Sequence, residues 1–159
     1  MALQNELGYP NPIRTLAHEA LLNIVVTAEL AVKEGDVLLR PHHVTESQFN
    51  VLMLLAHQAP PGGAVQVQLG RMLVVNRSNV TGLIDRMEAA GWVERTHDPA
   101  DRRVKLVRLT PAGRALVEKA EKDYMARVTR VLGVLTKAEQ AQLCRMLEKV
   151  REGVREQGL

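Results

Sequence analysis

Between residues 80 and 109 the chain changes its apolar period, and few folds accommodate that change. Val80, Leu83, Ile84 and Met87 recur at i, i+3, i+4 and i+7, the stripe of an amphipathic helix. Gly91 follows where a left-handed residue would end that helix. Residues 92–96 and 104–109 then read as two strands, with Asp98-Pro99-Ala100-Asp101 supplying turn chemistry between them. The connection exceeds a two-residue turn, so the hairpin is expected to project. Upstream, residues 65–75 form a short apolar stretch with Leu69, Met72 and Leu73 at helical spacing, and Asn76 is placed to cap the next helix. Two short helices meeting at a tight junction, the second polar at its start, are what a helix-turn-helix requires.

The flanks are helical. From Ile13 a 3.6-period stripe (Leu16, Ala20, Leu21, Ile24, Ala28, Ala31, Val32) runs to a stop near Arg40-Pro41, because proline disfavours helix in the residue before it. Thr45-Glu46-Ser47-Gln48 has capping-box spacing, and Pro60-Pro61-Gly62-Gly63 ends the helix that follows. Thr110-Pro111 restarts helix, with Leu116, Val117, Ala120, Tyr124, Val128, Val131, Leu132 and Leu135 on one stripe. Thr136–Glu139 is a second capping box, after which Leu143, Leu147, Val150 and Val154 form a coiled-coil-like seam. Aromatic residues are only 3% of the 159, which argues against a β-sandwich and against single-strand binding by base stacking. The expected fold is mainly α with a small β-hairpin wing. Its terminal stripes are too extensive for one small lobe to cover, which predicts association with a second copy.

Charge is concentrated in the middle of the chain. The net charge is +3, yet residues 71–114 hold nine basic and five acidic groups, leaving −1 on the remainder. A basic patch confined to one segment is the footprint of a polyanion partner. Asn76, Arg77, Ser78, Asn79 and Thr81 open the second helix with side chains able to read base edges in the major groove, and its N–H groups can hold a phosphate. The hairpin carries Arg95, Arg102, Arg103, Lys105 and Arg108, and arginines at such a tip can enter the minor groove. The carboxylate of Asp101, beside Arg102 and Arg103, is expected to bond a neighbouring guanidinium and fix its fork. A capped, solvated helix start and a solvated charged turn are the structural alternatives for these two groups.

Ser78, Val80, Thr81, Leu83, Ile84, Asp85, Arg86, Met87 and Glu88, then Gly91, Val93-Glu94-Arg95, Asp98, Asp101-Arg102-Arg103, Leu109-Thr110 and Gly113, resemble the winged helix-turn-helix of the MarR (multiple antibiotic resistance regulator) family. The resemblance extends in element order over most of the chain. It implies a single domain over 1–159, with a DNA-binding lobe at 45–110 and helical dimerisation segments at 13–40 and 111–157. It also implies an obligate homodimer that binds double-stranded DNA at a near-palindromic operator and regulates transcription, usually as a repressor released by a small-molecule effector. Carried over by position, recognition-helix contacts come from Arg77, Ser78, Asn79 and Thr81, and wing contacts from Arg102 and Arg103. Two positions depart from the pattern. The first helix of the pair starts near Gln66-Val67-Gln68 without a Ser/Thr cap, and Gly82 stands where many relatives place a long polar side chain. Arg86 is expected to pair with Asp85 or Glu88, or to support the wing.

Other functions have weaker footing. There is no Gly-rich phosphate loop, G-x-S-x-G motif or metal-ligand pattern, so neither catalysis, a metal nor a cofactor is expected. His42-His43 reads as a solvated loop pair and Cys144 as a buried structural thiol, with metal or thiol sensing as the alternative for each. A winged-helix protein-interaction module would have lost its wing arginines, which this chain keeps. With one cysteine, no apolar run of membrane-spanning length and no signal-peptide pattern, the expected location is the cytoplasm.

Overall fold

The computed structural model describes residues 2–73 and 80–157. The elements in chain order are α1 (Ala2–Glu6), α2 (Leu16–Leu39), a 3-10 turn (Arg40–His42), α3 (Glu46–His57), β1 (Ala64–Val65), α4 (Gln66–Met72), α5 (Val80–Ala89), β2 (Val93–His97), β3 (Lys105–Leu109), α6 (Pro111–Leu132) and α7 (Lys137–Glu156). They divide into two compact units, residues 1–120 and 121–159.

In the first unit, α2 starts at Thr15, whose hydroxyl accepts from the His18 amide, and stops one residue short of Arg40-Pro41. Gly35 does not interrupt it. A Cβ there would stand 3.3 Å from the Glu46 carboxyl, and the neighbouring Asp36 carboxylate accepts from the Glu46 amide at 3.1 Å, tying α2 to the start of α3. The capping box of α3 forms as the sequence predicts, with the Gln48 amide donating to Thr45 Oγ1 and the Thr45 amide to Gln48 Oε1. Its inner face buries Phe49, Val51, Leu52 and Leu55. Around them the core is closed by Leu69 and Leu73 from α4 and its C-terminal cap, Ile84 and Met87 from α5, and Val93 and Val107 from the sheet.

The hairpin is part of a three-stranded antiparallel sheet of order β1-β3-β2, with Ala64 opposite Val107 and Arg95 opposite that same residue from the other side. The sequence reading assigned no strand at residues 64–65. Two residues cannot show an alternation, and the pairing depends on Gly63. That glycine has φ +104°, and a Cβ on it would lie 2.5 Å from the Val107 carbonyl oxygen. Helix α1, whose Leu3 is buried, was likewise not anticipated.

Helix α5 ends as its glycine predicts. Gly91 has φ +74°, its amide donates to the Glu88 carbonyl, and the Trp92 amide donates to Met87, which is the Schellman arrangement. Thr110 then caps α6: its hydroxyl accepts from the Gly113 amide and donates to the Gly91 carbonyl. Helix α6 buries Gly113, Val117 and Ala120.

In the second unit the Thr136–Glu139 capping box opens α7. Gln140 secures the preceding turn by donating to the Leu132 and Leu135 carbonyls. No residue of α7 is buried. Cys144 is exposed on it, which corrects the expectation of a buried thiol: Leu143 and Leu147 beside it are only half-buried, and the seam they form leaves the thiol open.

Candidate nucleic-acid interface

The sheet register sorts the basic residues of the hairpin. Arg95 faces the same side as Val93 and Val107, which are buried, whereas Glu94 and Arg108 pair on the other side, with Arg108 Nε donating to Glu94 Oε1 at 2.8 Å. Arg95 therefore points toward α5 and leaves its side chain only 20% exposed. Its Nη1 donates to Glu88 and its Nη2 to Asp85, and its backbone amide donates to the other Glu88 oxygen at 2.9 Å. Burial opposes the guanidinium charge, but the bonds to Asp85 and Glu88 outweigh it and raise the pKa above its ordinary value. The sequence places Arg95 among the DNA contacts and offers Asp85 or Glu88 to Arg86, with support of the wing as that arginine's alternative. In the folded chain both acids go to Arg95, across the junction between α5 and β2.

The side chains of the remaining wing cations are not held by carboxylates: Arg102, Arg103 and Lys105 are exposed, and among the described residues no carboxylate bridges to any of them. The tip that carries them is held by its own backbone. The Asp98 amide donates to the Val104 carbonyl, and the Val104 amide to the Asp101 carbonyl. Asp98 Oδ1 accepts from the Ala100 amide, and Asp101 Oδ1 from the Arg103 amide at 2.9 Å. Asp101 thus shapes the turn through a main-chain bond rather than fixing an arginine fork. His97 contributes as well, its Nδ1 donating to the Arg102 carbonyl at 2.7 Å. A carbonyl can only accept, so this bond fixes which ring nitrogen carries the proton.

Of the recognition-helix candidates, Asn76, Arg77, Ser78 and Asn79 lie outside the described residues. Thr81 is exposed in the first described turn of α5, and its hydroxyl oxygen accepts from Gln66 Nε2 at 2.7 Å. Gln66 is the first residue of α4, half-buried, and its Oε1 lies 3.5 Å from Arg95 Nη2. Nothing in the sequence singled it out, since one glutamine at the start of a short helix carries no pattern. The missing Ser/Thr cap at this helix is partly replaced by Gln68, whose Oε1 accepts from the Val65 amide.

The described residues contain no group of three or more His, Cys, Asp or Glu placed to hold a metal. The expected solvated pair His42-His43 is divided: His43 is exposed with left-handed φ 56°, while the turn at Pro41 carries His42 into the interior at 8% exposure. Among the described residues no helix is long and apolar enough to cross a membrane.

Comparison with known proteins agrees with this geometry. The MarR family is matched over residues 44–105. The multiple antibiotic resistance protein MarR of Salmonella typhimurium is 34% identical over 116 residues, covering 70% of this chain and 76% of that protein. The transcriptional activatory protein BadR of Rhodopseudomonas palustris is 34% identical over 119 residues, covering 74% and 68%. The structure of CouR from Rhodococcus jostii RHA1 bound to p-coumaroyl-CoA superposes with a TM-score of 0.75 at 25% identity, over 87% of this chain and 95% of that one. The transcriptional repressor CouR bound to a 23-mer DNA duplex gives 0.70 at 28% identity, over 89% and 99%.

Proposed function

The chain belongs to the MarR family of DNA-binding transcriptional regulators, and from that premise we propose that it is a ligand-responsive repressor acting as a homodimer on a near-palindromic operator. The observation that carries DNA contact is the division of charge within the wing: Arg95 and Arg108 are held by carboxylates, while Arg102, Arg103 and Lys105 are exposed at a backbone-braced tip. Such a tip offers cations to phosphates, and guanidinium groups to a narrow minor groove. Thr81 and the polar residues 76–79 are the proposed major-groove readers, and Arg95 the brace that sets α5 against the wing.

Dimerisation is supported by apolar surface in each unit. Helix α2 exposes Leu16, Leu21, Val25, Leu30 and Val37, and α7 exposes Met146, Val150 and Val154. Segments 13–40 and 111–157 are the proposed dimerisation region and 45–110 the DNA-binding lobe. The CouR structure with p-coumaroyl-CoA supports a small-molecule effector. Repression rests on the likeness to CouR, and a cytoplasmic location is proposed with it. The deciding experiment is selection of duplexes from a random pool. Enrichment of a near-palindrome with half-sites about 10 bp apart is the expected result. No enrichment overturns the proposal.

A further inference from the structure

We infer that Gln66 is a positioning residue for DNA binding, turning Thr81 into a hydrogen-bond donor toward the duplex. This rests on the proposed DNA contact of α5. The carboxamide of Gln66 lies between Arg95 Nη2, 3.5 Å from its Oε1, and Thr81 Oγ1, 2.7 Å from its Nε2. A guanidinium has donors only, so the amide atom facing it is the oxygen, and the nitrogen is left for Thr81. Thr81 Oγ1 is therefore the acceptor in that bond, and its single hydroxyl proton remains to be donated. Arg95 is fixed in turn by Asp85 and Glu88, so the orientation is relayed through three elements: β2, α4 and the exposed first turn of α5. The acceptors on DNA that a lone hydroxyl donor fits are a phosphate oxygen or an acceptor atom on a base edge.

The test is a double-substitution cycle on the full-length protein, read as the dissociation constant for a duplex selected from a random pool, with melting temperature alongside. Gln66→Met keeps the volume and removes both bonds. Thr81→Val removes the hydroxyl. Each is expected to weaken binding roughly three- to tenfold, the worth of one hydrogen bond. The double variant is expected to bind no more weakly than Thr81→Val alone, because the two residues act through one contact. Gln66→Glu supplies a readout that a merely structural role would not move. Its carboxylate keeps the Arg95 partner and holds the melting temperature, but it only accepts, so Thr81 turns its proton inward. Binding then falls further in the presence of Thr81 than in the Thr81→Val background, where only the added charge acts. An equal loss on an unrelated duplex places the acceptor on a phosphate, and a loss confined to the selected duplex places it on a base. Either supports the donor role. Losses that multiply in the double variant, or a Gln66→Met protein that binds like wild type, overturn the inference while leaving the DNA-binding reading intact. If the wild-type protein enriches no duplex, both fall.

Discussion

The carbonyl oxygen of Trp92 lies 1.9 Å from where a Cβ on Gly113 would stand. The first turn of α6 therefore rests directly on the backbone that leaves α5, and Thr110 closes the same corner through Gly91 and Gly113. Gly113→Ala has to push backbone away, at a cost of about 1–3 kcal/mol by the measure of an overpacked core. Gly91→Ala meets no atom within 4 Å and costs instead through its φ of +74°, about 1–2 kcal/mol. Asparagine separates the two causes. It tolerates the left-handed region, so Gly91→Asn should recover part of the loss, whereas Gly113→Asn should melt no higher than Gly113→Ala.

Removing a wing cation should show in the salt dependence of binding only where that cation faces phosphate. Arg102→Ala and Arg103→Ala should each lower the slope of log affinity against log salt by about 1 for every phosphate the arginine had neutralised, with melting unchanged. Arg95→Met should leave the slope near its wild-type value and lower melting instead. It strands Asp85 and Glu88 beside each other, at a cost of about 1–2 kcal/mol once their partial exposure is allowed for. A slope change of about 1 in Arg95→Met would make Arg95 a DNA contact after all.

The difference between Arg95 and its neighbours was not legible in the sequence, because a guanidinium facing Asp85 and one facing phosphate are the same letter in the same basic run. Register decides it: the alternation that buries Val93 and Val107 also turns Arg95 inward. Local signals fared better. The Thr45–Gln48 and Thr136–Glu139 boxes, the stop at Gly91 and the restart at Thr110-Pro111 each depend on residues a few positions apart, and each forms where it was expected. Strand β1 depends on β3, far along the chain, and gave no local sign. The candidate readers Asn76, Arg77, Ser78 and Asn79 lie outside the described residues, so Thr81 is the member of that set whose surroundings are defined.

Helix α7 should lose its N-terminal capping box in acid. Hydrogen bonds from the Thr136 backbone amide and hydroxyl hold the Glu139 carboxyl below its ordinary pKa. A carboxyl depressed in the folded state contributes stability that is present above its unfolded pKa and lost as pH falls through the folded one. Amide exchange in the first turn of α7 should therefore be slower in wild type than in Glu139→Ala at neutral pH, and the difference should close below the carboxylate range. A difference that persists at low pH would mean that Glu139 acts through packing rather than charge.

Association should be obligate and should be felt at the DNA. Val150 and Val154 are about half exposed on a helix with no buried residue, and α2 carries its own exposed apolar face in the other unit. Surfaces of this extent are rarely left to water, and an obligate two-fold interface of roughly 2,000 Å² or more is expected to cover them. Sedimentation at micromolar concentration should give a dimer, and Val150→Glu with Val154→Glu should shift it toward monomer by placing charges in that interface. A monomer presents one recognition helix and one wing. Its affinity for a two-half-site operator should then fall at least about 100-fold, because the second half-site is no longer bound intramolecularly. The salt slope should fall to about half, since a monomer neutralises half as many phosphates. These two readouts separate loss of pairing from loss of fold: a misfolded lobe loses binding to a single half-site as well, whereas a folded monomer retains it. A wild-type chain that sediments as a stable monomer and still binds with the full slope would show that one copy makes all the contacts.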